Sequence, residues 1–168
     1  MKFDRRRKYY MILDCETATL PFANKYSAEQ KKKIAIAKPL IYDLGYIIID
    51  KKGNIYKKVN YLISEVFSVP EIFDTAYYKD RRPFYIDLLS KKELEIVTWA
   101  TAMNEFVKDL QIVSAVGAYN AMFDFKKAIP FTELYINMLH SAEYYSWLDM
   151  QKEICAEIAS GKRKESNK

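Results

Sequence analysis

The chain is poor in cysteine and has no long apolar run. Its 168 residues include two cysteines, Cys15 and Cys155. They stand near opposite ends and in no metal-binding spacing, so no disulfide framework is expected and a reducing, cytoplasmic setting is the default. No window comes near the roughly 18 apolar residues that span a bilayer, which excludes a membrane-spanning helix. The basic start (Lys2, Arg5, Arg6, Arg7, Lys8) is followed only by Met11-Ile12-Leu13 before an acid intervenes, too short for the apolar region of a signal peptide. There is no internal repeat and no interdomain linker. The chain reads as one domain over 1–160 with a polar tail over 161–168, long enough for one core and short for two.

Charge and rings are plentiful. Lys and Arg number 27 against 22 Asp and Glu, a net charge of +5, and the cations gather at the N-terminus, in Lys31-Lys32-Lys33 and in the tail. Such a balance favours polyanions, although simple solubility explains it equally well. The segment Tyr77-Tyr78-Lys79-Asp80-Arg81-Arg82-Pro83-Phe84-Tyr85 alternates rings with cations, which suits a single-stranded nucleic acid. Packing of those rings onto their own domain is the plainer alternative.

Periodicity and turn chemistry give an ordered set of elements. Residues 9–14 form a buried strand. An insertion over 19–38 carries a short helix at 28–37, capped by Ser27 and closed by Pro39. Residues 40–50 are apolar and β-branched, Lys51-Lys52-Gly53-Asn54 is a hairpin turn, and 55–64 is the return strand. A short helix at 70–78 leads into an irregular basic loop through Pro83. A helix is expected over 91–110, with Ser90 and Glu93 as a capping box. A fourth strand follows at 111–119. A helix then begins near Ala121, is interrupted at Pro130 and resumes to Leu139. A brief fifth strand at 147–150 and a helix at 151–160 complete the set. This is an α/β pattern with one mixed five-stranded sheet flanked by helices, its first and fourth strands parallel neighbours.

Two acids at the end of the first strand are the main chemical clue. In Asp14-Cys15-Glu16-Thr17, alternation sends Asp14 and Glu16 to the same face, with Cβ atoms roughly 7 Å apart. Carboxylates that close repel unless a positive charge lies between them, and a hard divalent cation fills that role. A third acid, Asp124, follows Asn120 at the start of the helix after strand four, where it could meet the first two. Plainer roles exist for each: strand-end acids, an N-terminal helix acid for Asp124 and a helix cap for Asn120.

These segments resemble the motifs of the DEDD 3′–5′ exonucleases, which have the ribonuclease H-like fold. Asp14-Cys15-Glu16-Thr17 resembles their first motif (Asp-x-Glu-Thr), and Asn120-x-x-x-Asp124 their second. Leu40 to Asp50 with Gly53 looks like their second strand and turn, in the style of exonucleases encoded by phages of Gram-positive bacteria. The resemblance implies two Mg²⁺ or Mn²⁺ ions and a nuclease's single-stranded nucleic acid partner, with DNA placed ahead of RNA and the sequence leaving both open. It further implies Asp14, Glu16 and Asp124 as catalytic metal ligands, Thr17 against the terminal nucleotide, and Asn120 and Phe123 shaping the substrate pocket. The family's third motif, His-x-x-x-x-Asp or Tyr-x-x-x-Asp, is not matched at His140, the only histidine, which Tyr145 rather than an acid follows five residues on. Tyr145 and Asp149 fit the Tyr form but lie close to Asp124, so the expectation is a chain that stops before its last catalytic helix. A catalytically inactive nucleic-acid-binding module of the same fold is the alternative, and endonuclease chemistry on that fold a third.

Overall fold

The computed structural model describes residues 3–4, 7–20 and 38–139. The helix expected at 28–37, the strand at 147–150, the helix at 151–160, the tail, Lys31 to Lys33, His140, Tyr145, Asp149 and Cys155 lie outside the described residues.

The sheet starts from a meander. Strand β1 (Tyr9–Ala18) pairs antiparallel with β2 (Leu40–Asp50), which pairs antiparallel with β3 (Ile55–Ile63). The β2–β3 turn needs a left-handed residue, and Gly53 supplies it at φ 83° without a Cβ penalty. Asp50 locks the turn by accepting from the Lys52 and Asn54 N–H groups at 2.8 and 3.1 Å. After β3 come two single-turn helices, α1 (Ser64–Phe67) and α2 (Pro70–Phe73), a 3₁₀ turn (Lys79–Arg81) and α3 (Arg82–Ser90). Strand β4 (Glu95–Val97) then precedes α4 (Trp99–Leu110), and β5 (Ala115–Ala118) precedes a long helical segment. That segment runs as α5 (Ala121–Phe123), a π-helical stretch (Asp124–Ala128) and α6 (Ile129–Leu139). The result is an α/β fold with one mixed five-stranded sheet in the order β4-β3-β2-β1-β5.

Three expectations need correcting. The helix expected over 91–110 begins only at Trp99, because Thr98 is its N-cap and accepts from the Thr101 N–H, while Ser90 closes α3 by donating to the Asp87 carbonyl. Glu95-Ile96-Val97, with two β-branched residues, instead pairs parallel with β3 and supplies a fifth strand. The basic segment before Pro83 is not a loop: it winds into the 3₁₀ turn and α3, with Pro83 in the first helical turn, where its missing N–H costs nothing. The helix after β5 does deform near Pro130, but the change falls before it. The π stretch includes Lys126, whose carbonyl lies four residues before Pro130 where the ring would meet it in a regular helix.

Alternation along β1 sorts the two faces. Tyr9, Met11, Leu13 and Cys15 are buried in the main core with Leu44, Tyr46 and Ile48 of β2. Helix α4 covers this face through Asp109, whose carboxylate accepts from the Tyr46 hydroxyl at 2.6 Å and pairs with Lys57 at 2.7 Å. Helix α6 covers it too. Between Glu16 and Thr17 the register slips by one residue of β2, and just past that bulge the Ile41 N–H donates to Thr132 Oγ1 at 2.8 Å. Rings of Tyr42, Phe67, Phe73 and Tyr85 pack edge to face where α1 to α3 close the end of the sheet. The opposite face of β1 and β2 stays open as a groove. Among the described residues no helix is long and apolar enough to cross a membrane.

Candidate functional site

The open face carries acids from two strands. Asp14 stands opposite Gly45 and Glu16 opposite Asp43 in the β1–β2 register, so three carboxylates project from neighbouring positions. With Lys58 and Asn60 of β3 and Arg81, Phe84, Tyr85 and Leu88 from the 3₁₀ turn and α3, they line a groove of about 440 Å³. Asp14 is exposed, whereas Glu16 and Asp43 are half-buried.

Their protonation reflects crowding and burial. Burial, then the Asp14 charge, raises the Glu16 pKa from its ordinary value, and Arg81 opposes the rise. Asp43 is pushed up to about 7, chiefly by burial and further by Glu16 and Asp14, while a hydrogen bond from the Tyr85 hydroxyl restrains it. A surplus of negative charge held off water is what a cation relieves.

Asp124 takes a different place. It is 5% exposed at the head of the π stretch and is raised by burial, partly offset by a hydrogen bond with the Cys15 thiol. Cys15 lies on the core side of β1, and burial, then Asp124, drives its thiol pKa far up. Asp124 therefore backs onto β1 behind Asp14, whose charge it feels. The charges that act on Glu16 are Asp14 and Arg81. The parallel pairing of Leu13 with Ala118 brings this about, because it sets the β5 exit beside the acid end of β1.

The structure thus brings Asp14 and Glu16 together and sets Asp124 one layer behind them. Thr17, opposite Ile41, is half-buried just past the bulge, where the alternation of β1 breaks. Asn120 caps α5 by accepting from the Phe123 N–H at 3.4 Å, and Phe123 packs against the core. Both have structural work here. Oxygen donors of this kind suit a hard divalent cation. In number they fall short: among the described residues no three carboxylate, thiol or imidazole groups converge closely enough to hold a metal ion. Substrate phosphate and water would have to complete any coordination sphere. Motif spacing does not bring Asp43 or Arg81 into this groove. The available signal for Asp43 is an acid inside an apolar strand, two residues from Gly45 and so on the same face. For Arg81 there is only the ring-and-cation segment.

The chain matches no protein-family model, no curated protein and no solved structure.

Proposed function

We propose that the chain is a divalent-metal-dependent 3′–5′ exonuclease acting on single-stranded nucleic acid, DNA before RNA, on a ribonuclease H-like arrangement of the sheet. The observation that carries the proposal is the pairing of Asp14 and Glu16 with Asp43 on the floor of one groove whose wall holds an arginine. The meander of β1 to β3 with β5 parallel beside β1 supports the fold assignment. Asp14 and Glu16 would hold the cation, Mg²⁺ or Mn²⁺, with Asp124 within electrostatic reach of Asp14 as the third acid. Bound ions supply an acidified attacking water and a charge that stabilises the leaving 3′ oxygen. The chain's own groups add, in Asp43 with Tyr85, an acid held by a hydroxyl beside it.

The test is a 5′-labelled single-stranded oligonucleotide incubated with Mn²⁺. A ladder shortening from the 3′ end, abolished by Asp14→Ala, is expected. No product with any divalent ion refutes the proposal, and equal cutting of a circular single strand moves the chemistry to an endonuclease. A second assignment, a catalytically inactive nucleic-acid-binding module, is favoured by the lack of a converged three-donor group among the described residues. It predicts DNA or RNA binding that is steeply salt-dependent and unchanged by EDTA.

A further inference from the structure

The wall of the groove opposite β1 is built unlike its floor. Arg81 ends the 3₁₀ turn with its guanidinium carbon 4.1 Å from the ring centre of Tyr78, a contact that holds a flexible cation in one place. It faces the acids closely enough to act on Glu16, yet makes no ion pair with a carboxylate among the described residues. One turn of helix onward, Phe84 is 56% exposed and lines the same groove, although α3 has a core to bury it in and does bury its neighbour Tyr85. The groove's volume of about 440 Å³ falls within the range of small-ligand sites, about 300–1,000 Å³. A fixed guanidinium and an open ring at adjacent positions match one phosphate and one base of the same nucleotide.

We infer that Arg81 is a phosphate-positioning residue and Phe84 a base-stacking residue, so that the terminal nucleotide of a single strand lies between α3 and the acids of β1 and β2. This rests on the nuclease proposal for its substrate class and adds to it the wall that orients the strand. A bare acidic floor would repel a phosphate. Arg81 offsets that repulsion from beside Glu16, and Phe84 gives a sequence-tolerant surface for any base.

Anisotropy titrations of a fluorescent ten-nucleotide single strand in Ca²⁺, at several salt concentrations, separate the contributions. Arg81→Ala should weaken binding about tenfold or more and lower the salt slope by about one, with Arg81→Lys restoring the slope. Phe84→Ala should weaken binding about 5- to 100-fold with the slope unchanged. Lys108→Ala removes the same charge from α4, on the opposite face of the sheet, and should stay within about twofold of wild type. Arg81→Ala that behaves like Lys108→Ala, or Phe84→Ala that binds like wild type, overturns the inference. Nucleotide release with Mn²⁺ is measured in parallel, where Arg81→Ala should raise KM more than it lowers kcat. Release that persists with an unchanged KM in Arg81→Ala overturns the inference and leaves the nuclease proposal standing. Arg81-dependent binding without any metal-dependent release does the reverse.

Discussion

Asp43 offers the sharpest thermodynamic prediction, because its environment penalises the charged form. An aspartate ordinarily near 3.8 that is pushed to about 7 in the folded protein binds its proton more tightly when folded than when unfolded. The stabilisation from that proton is complete below about pH 3.8 and is lost as pH rises through about 7. Three pKa units at 1.36 kcal/mol each set an upper bound of about 4 kcal/mol on the loss. Asp43→Asn keeps the shape and an acceptor for Tyr85 but carries no charge, and the neutral hydrogen bond is weaker by about 1 kcal/mol. The variant should therefore be more stable than wild type by about 2–3 kcal/mol at pH 8, and equal or slightly less stable at pH 4. Urea unfolding of both proteins from pH 4 to 8, without divalent ions, reads the difference directly and cancels all groups common to the two. Curves that run parallel across this range would refute the argument that Asp43 is held in a poorly solvated, like-charged setting.

Two substitutions in the core face test what holds the sheet to its helices. Lys57→Met leaves Asp109, 3% exposed, without the ammonium 2.7 Å away, and should destabilise by about 2–3 kcal/mol in thermal or urea unfolding, less than a fully buried pair because Lys57 reaches solvent. A loss under about 0.5 kcal/mol would mean that the Tyr46 hydroxyl alone satisfies Asp109. Thr132→Val preserves volume but strands the buried Ile41 N–H beside the β-bulge, at an expected cost of about 1–3 kcal/mol, while Thr132→Ser should keep most of the stability.

The meander, the hairpin turn and the pairing of strand one with the strand near residue 115 were legible because each has a strong local signal: β-branched alternation, Gly53 at a left-handed turn, and a topology with few solutions. The region around residues 91–98 was not. Leu94 and Val97 fit a helical stripe that continues into α4, and only the tertiary pairing of three residues with β3 makes that stretch a strand. Ser90 followed by Glu93 imitates a capping box, although Lys92 sits at φ 59°, which no helix start would contain. In the site, the shared face of Asp14 and Glu16 followed from alternation alone. The position of Asp124 depended on a helix roll that sequence does not encode, and Cys15, a small core residue by composition, turned out to be its hydrogen-bond partner. Asp43 entered the groove through register, which pairs it with Glu16 as the last pair before a bulge that no motif marks.

The proposed nuclease chemistry requires the acids of β1 to gather a divalent cation at the groove. Calorimetric titration of Mn²⁺ into the wild-type chain and Asp14→Asn at pH 7.5 tests it most directly. Wild type should bind saturably below about 1 mM, and binding should weaken about tenfold or more when one carboxylate ligand is removed. An absence of binding in wild type at millimolar Mn²⁺, or equal affinity in the two proteins, would contradict it.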